Sequence, residues 1–163
     1  MKIKILLFII ISFFPCVKLQ SAPLIGRLGI GYSGQLQNDI EAVSFKVQRT
    51  PSYAVGAMVG FNSSEDNTLY GLGLKYFRIL YDEPQLNFYS ALGMAFFNYP
   101  VDSDETKNGH QFDGTFGTEF HFTGLESLGL SFEFGFSMRQ NQDGNQFGTM
   151  FYDLLSCNIL FYL

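Results

Sequence analysis

The stretch that decides the fold is Leu128-Gly129-Leu130-Ser131-Phe132-Glu133-Phe134-Gly135-Phe136-Ser137-Met138. Large apolar residues occupy every second position, and glycine, serine or glutamate occupies the positions between them. Because successive side chains of a β-strand point to opposite faces, the pattern predicts a strand with one apolar face and one face of small or polar groups. Taken alone, such a strand fits a soluble β-sandwich as well as a barrel.

Similar alternation recurs along most of the chain, and turn-forming residues divide it into segments. The eight predicted strands run over about Leu24 to Ser33, Ile40 to Arg49, Ser52 to Phe61, Thr68 to Leu80, Gln85 to Asn98, Gln111 to Phe122, Leu128 to Met138 and Gly148 to Leu163. The polar connections are Gly34 to Asp39, Asn62 to Asn67, Tyr99 to His110 and Gln140 to Phe147, and tight turns fall near residues 50, 82 and 124. Longer connections therefore alternate with tight turns, as in an up-and-down barrel.

The composition favours a chain with much uncharged surface. Of 163 residues, 47% are hydrophobic and 15% are charged, whereas an average soluble domain carries about 25% charged residues. The net charge of −5 and the lack of a Lys/Arg cluster in the mature region argue against a nucleic-acid partner. No motif points to a cofactor, and none is expected.

The N-terminus has the pattern of a secretory leader. A short segment with the basic residues Lys2 and Lys4 precedes an apolar stretch from Ile5 to Phe14, which is too short to span a bilayer as a helix. We predict that residues 1–22 are a cleaved signal peptide with an uncertain cleavage site, and that residues 23–163 are the barrel. Cleavage leaves Cys157 as the only cysteine, so no internal disulfide is expected.

No segment after residue 22 is apolar for long enough to form a transmembrane helix. A closed barrel is the other structure that can cross lipid, because every backbone polar group is then paired. The predicted fold is therefore all-β: an eight-stranded antiparallel up-and-down transmembrane β-barrel, with an apolar outer face and a polar lumen. Tyrosines that fall toward the strand ends are typical of the aromatic girdles at a membrane interface.

The inward-facing positions of the predicted strands carry charges of both signs. The predicted luminal polar network contains Arg27, Lys46, Lys75, Asp113, Glu119, His121, Glu133, Arg139 and Asp153. Buried charges persist only when they are paired and hydrogen-bonded, so we expect ion pairs across the lumen. Eight strands leave room for little more than side chains, which predicts a plugged lumen without an open pore.

The last eight residues, Ser156-Cys157-Asn158-Ile159-Leu160-Phe161-Tyr162-Leu163, resemble the C-terminal signal of bacterial outer-membrane barrels. Ser156 occupies the polar position of that signal, and Phe161 and Leu163 occupy hydrophobic ones. Asn158 stands where glycine is usual, and the last residue is leucine instead of phenylalanine. The resemblance to this class of small eight-stranded barrels implies a location in the cell outer membrane, insertion by the barrel assembly machinery and contact with outer-membrane lipid.

On this interpretation the protein has a structural or surface-interaction role and is not an enzyme. A protein or surface partner that binds through the loops is possible on this interpretation. One alternative is a secreted soluble β-barrel that binds a small apolar ligand, which would require an apolar lumen. The other is a barrel enzyme acting on envelope lipid, because His121, Thr123 and Glu133 resemble the His, Ser and Glu of outer-membrane lipid A deacylases. Threonine replaces the serine nucleophile, so a structural His121 bonded to Glu119 or Glu133 is favoured. His110 lies in a predicted loop and His121 in a predicted strand, and the two would face opposite sides if that strand begins early, so no metal site is expected.

Overall fold

The computed structural model describes residues 24–36, 40–63, 68–102, 105–141, 144–149 and 155–163. These ranges contain the strands β1 (Leu28–Ser33), β2 (Ala42–Thr50), β3 (Tyr53–Ser63), β4 (Thr68–Glu83), β5 (Leu86–Asp102), β6 (Glu105–Phe122), β7 (Leu125–Asn141), β8 (Gly144–Thr149) and β9 (Ser156–Tyr162). The predicted signal peptide and Asp153 lie outside the described residues. Within those ranges, no helix is long and apolar enough to cross a membrane.

The strands form one closed antiparallel ring. Each strand from β1 to β7 pairs with the next one along the chain. β8 and β9 pair with successive parts of β7, through Phe136↔Thr149 and Glu133↔Ser156, and so occupy a single position in the ring. β9 also pairs with β1, which closes the barrel. The predicted eight-stranded antiparallel up-and-down barrel is confirmed.

The strand that decided the fold shows the expected facing. In β7, Phe132, Phe134 and Phe136 are exposed on the outer surface, whereas Glu133 and Ser137 are buried in the lumen. β4 repeats the same alternation of exposed and buried residues along most of its length. The outer surface of the barrel is therefore apolar around most of its girth, and the polar groups of the middle strands face inward.

Two of the predicted loops are wrong, because the structure continues the strands through them. β5 and β6 extend across the predicted loop at Tyr99 to His110 until only two residues separate them. β7 and β8 extend in the same way across the predicted loop at Gln140 to Phe147. The paired backbone satisfies its own hydrogen bonds there, and every residue of β8 is exposed. Polar side chains are tolerated on both faces of such a hairpin, so the alternation that marks a half-buried strand is absent.

The predicted polar break at Gly34 to Asp39 is also wrong in part, because Gln35 and Leu36 are buried in the lumen. Leu36 and Ile40 are each 1% exposed. They belong to an apolar cluster with Ala42, Met58, Ala95, Phe97 and Tyr99. The connection between β1 and β2 thus fills one end of the lumen with apolar side chains.

Replacing Leu36 with Ala is expected to lower the free energy of unfolding by about 2–5 kcal/mol, because it leaves a cavity in this cluster. Urea unfolding of the barrel in detergent micelles measures the loss. Leu72→Ala is the matched control, since Leu72 lies on the outer face and is 55% exposed. An equal loss at the two positions would contradict the inward placement of Leu36.

The opposite end of the lumen is filled by Leu24, although its alternation with Leu28 and Ile30 predicts an outward side chain. The structure buries Leu24 in a cluster with Leu160 and Tyr162. The chain bends at Gly26, whose φ is +82° and whose N–H donates to the carbonyl of Gln48 at 2.8 Å. Because this bend precedes β1, the period-two facing does not extend back to Leu24.

Candidate functional site

The middle of the lumen contains two buried ion pairs, and the first joins β2 to β6. Lys46 Nζ lies 2.5 Å from Glu119 Oε2, and both side chains are buried. The other carboxylate oxygen, Oε1, accepts a hydrogen bond from Tyr162 Oη at 2.6 Å. His121 Nε2 lies 3.0 Å from the same oxygen. Glu119 therefore connects the strand that carries it to β2 and to β9.

The second ion pair joins β4 to β7 through Lys75 and Glu133. Glu133 also accepts hydrogen bonds from Tyr89 Oη at 3.0 Å and from Thr115 Oγ1 at 2.9 Å. Lys75 Nζ donates in addition to Gln35 Oε1 at 2.7 Å. Both charges have several partners, which is the condition under which a buried pair is tolerated.

Asp113 is held differently from the two glutamates. Gln111 Nε2 donates to both of its carboxylate oxygens, at 2.9 Å and 2.8 Å, and also to the backbone carbonyl of Gln35 at 3.2 Å. Among the described residues, no Lys, Arg or His forms a salt bridge with Asp113. The amide of Gln111 thus takes the place that a cation takes at the other two carboxylates.

Aromatic rings separate the two lysines. Lys46 Nζ lies 4.7 Å from the centroid of the Phe77 ring and 5.0 Å from that of Tyr89. Lys75 Nζ lies 5.3 Å from the Phe77 centroid. A ring face attracts a nearby cation, so Phe77 contributes to holding both ammonium groups inside the barrel.

The remaining predicted residues lie away from this charged layer. Arg27 is partly exposed at the tight-turn end, where Nη2 donates to the backbone carbonyl of Tyr162 at 2.6 Å and to Ser127 Oγ at 2.9 Å. Arg139 is partly exposed toward the other end of β7, opposite Gln146 of β8. The structure thus brings together Lys46, Lys75, Asp113, Glu119, His121 and Glu133, and it does not bring Arg27 or Arg139 into that group.

Several partners of the network were not predicted as members of it. Tyr89 and Tyr162 have the inward parity of their strands, so the alternation combined with the need for a phenolic hydrogen bond could have found them. Gln35 lies in the connection between β1 and β2, and no sequence signal indicated that this segment enters the lumen.

The free space among these side chains is small. A cavity of about 20 Å³ lies beside Lys46, Lys75, Phe77, Glu119 and Glu133. That volume holds about one water molecule.

The arrangement around His121 is not that of a nucleophile and its base. His121 faces Glu119, and its ring centroid lies 5.7 Å from that of Tyr162. Thr123, at the exposed turn between β6 and β7, accepts a hydrogen bond from Gln85. In the described part of the chain, no three His, Cys, Asp or Glu side chains converge as metal ligands would.

The architecture is that of the small eight-stranded barrels of bacterial outer membranes. One solved structure with this fold is the N-terminal β-barrel domain of Pseudomonas aeruginosa OprF, which matches 85% of this chain and 98% of its own at a TM-score of 0.56 and 13% sequence identity. No protein-family model and no curated protein matches the sequence. The likeness supports the fold, and with it the predicted class of barrel.

Proposed function

We propose that the protein is inserted in the outer membrane after removal of its signal peptide. There it would serve a structural or surface-interaction role with its lumen closed by side chains. The observation that carries this proposal is the inversion of the usual order of burial. Phenylalanine and leucine cover the outside of the barrel, and lysine and glutamate fill its centre.

The outer surface supports a membrane location. Leu92 is 69% exposed, Phe116 is 55% exposed and Phe134 is 53% exposed, and each has apolar neighbours on the same face. A soluble monomer rarely exposes a contiguous apolar patch of more than a few hundred Å². Exposing this apolar surface to water would cost free energy, whereas contact with the hydrocarbon of a membrane does not.

The lumen supports a closed barrel and speaks against the two alternatives. A small apolar ligand would have to displace two buried ion pairs, and each lysine or glutamate left behind would be unpaired. An enzyme of the deacylase kind would need a hydroxyl nucleophile in contact with His121, but Nε2 of this ring lies against Glu119 and its Nδ1 has no hydrogen-bond partner among the described residues.

The surface-interaction role is supported by the length of the later strands. β4 to β7 contain 16 to 18 residues each, whereas crossing a bilayer takes about 9–11 residues of a tilted strand. The hairpins β5–β6 and β7–β8 therefore extend well beyond the hydrocarbon. Every residue of β8 is exposed, which makes this hairpin a candidate contact surface.

Cys157 provides the test of the membrane location. It is exposed on the outer face of β9, directly opposite Phe132. In intact envelopes we expect a membrane-impermeant maleimide to leave Cys157 unlabelled, because lipid covers it, and we expect full labelling after denaturation. Mass spectrometry of the labelled peptide identifies the residue. The envelope protein should also migrate faster unheated than boiled on a gel. Rapid labelling of the folded protein, or release into the soluble periplasm, would refute the proposal.

A further inference from the structure

An apolar groove crosses the outer face of β3 to β6. It has a volume of about 460 Å³ and is lined by Val55, Leu74, Tyr76, Leu92, Met94 and Phe112. Small outward residues account for the hollow: Ala57 lies opposite Leu74, and Gly114 lies opposite Leu92. A Cβ at Gly114 would meet nothing within 4 Å. The groove therefore has the size and the lining of a site for an apolar chain.

Two exposed arginines lie at one end of this groove, on the side of the tight turns. Arg78 is the next outward residue after Tyr76 on β4, and it is paired in register with Tyr53 of β3. Arg49 lies on the outer face of β2, just before Thr50, which also pairs with Tyr53. The rings of Tyr53 and Tyr76 stack with their centroids 5.9 Å apart. Among the described residues, neither arginine forms an ion pair.

We infer that this surface binds one anionic phospholipid, with an acyl chain in the groove and the phosphate on Arg78 and Arg49. The inference rests on the proposed membrane location. Stacked tyrosines mark the level of the headgroups, and a guanidinium binds phosphate through charge-assisted hydrogen bonds. The groove and the two guanidiniums together fit a molecule that is apolar along its length and negative at one end.

A second copy of the chain is a poorer occupant of the same surface. In one membrane, a two-fold axis lies along the membrane normal and keeps Arg78 and Arg49 of both copies at the same depth. Such a contact would bring four cations to one level with no described acid paired to them, which is unfavourable near lipid.

The experiment compares lipid binding by the full mature protein in nanodiscs or mild detergent, followed by native mass spectrometry. The probes are phosphatidylglycerol and phosphatidylcholine with identical acyl chains. We expect one phosphatidylglycerol to stay bound under conditions that strip phosphatidylcholine. The double variant Arg49→Gln/Arg78→Gln should bind it about ten-fold more weakly, because two charge-assisted contacts are lost.

Met94→Trp should abolish retention of the lipid by filling the groove. Phe134→Trp is the matched control on another part of the outer face, and Lys107→Gln is the control for removing a cation toward the other end of the barrel. Equal retention of the two lipids by every variant would mean ordinary surrounding lipid and would overturn the inference. A dimer that Met94→Trp dissociates would overturn it in favour of a second copy.

Heat-dependent mobility and protection of Cys157 are measured on the same samples. A wild-type protein that fails both refutes the membrane location and the lipid site together. A protein that passes both but shows no preference for phosphatidylglycerol refutes the lipid site alone.

Discussion

Replacing Phe134 with Asp is expected to reduce stable insertion into membranes sharply. Phe134 lies near the middle of the outer face of β7, with its ring centroid 6.1 Å from that of Phe116. A charge on the lipid face near the bilayer midplane costs about 2–4 kcal/mol for Lys or Arg and less for Asp, and the lost phenyl contact with lipid adds about 2 kcal/mol. The summed loss of about 3–5 kcal/mol is a large part of a total stability of about 5–15 kcal/mol, so the inserted fraction should fall sharply.

The fraction of protein with heat-dependent mobility after refolding into vesicles measures this effect. Phe122→Asp is the matched control, because Phe122 is also exposed but is the last residue of β6, beside the tight turn at the edge of the barrel. The control should insert as the wild type does. Loss of insertion in both variants, or in neither, would show that the outer face of β7 is not the lipid-facing surface.

Replacing Lys75 with Met is expected to destabilise the barrel by about 3–5 kcal/mol, because the carboxylate of Glu133 is then buried without its cation. The hydrogen bonds from Tyr89 and Thr115 remain but do not neutralise the charge. Urea unfolding in micelles, followed by tyrosine fluorescence or gel mobility, measures the loss. Insertion itself should continue, since the outer face is unchanged.

The double variant Lys75→Met/Glu133→Gln is the decisive comparison. It removes both charges, so we expect it to recover more than half of the stability lost by Lys75→Met. Glu133→Gln alone should insert normally and weaken the lumen, because Lys75 keeps Gln35 as a partner but loses its carboxylate. Lys107→Met, toward the end of the barrel and opposite Tyr99 in the ladder, should have little effect. A double variant that is less stable than Lys75→Met would refute the pairing.

The sequence was sufficient to predict the barrel where one face of each strand is apolar and the other is not. In β7 the alternation around Glu133 assigned every side chain to its correct face, because period two is unambiguous there. The inward facing of Lys46, Lys75 and Glu119 followed from the same rule. Which lysine pairs with which glutamate could not be predicted, because that choice depends on register and strand tilt around the ring.

The sequence misled in places where both faces of a segment have the same environment. In the β7–β8 hairpin both faces can be wet, so strand residues have the composition of a loop. The opposite case is the connection at Leu36, where two apolar residues among polar ones enter the lumen. Local composition does not show that a short connection can fold back into a barrel, since this depends on space left by residues such as Ala42 and Ala95 on other strands.

The contact of Arg27 with the last strand has a consequence for the order of assembly. Its guanidinium binds the carbonyl of Tyr162, a residue 135 positions later in the chain. The β1–β9 seam likewise joins the two ends of the described sequence. Joining segments so far apart costs the most chain entropy of any pairing in the ring, and that cost is recovered only when the final strand docks. The neighbouring hairpins should therefore zip first, and the seam should form in the last and slowest step.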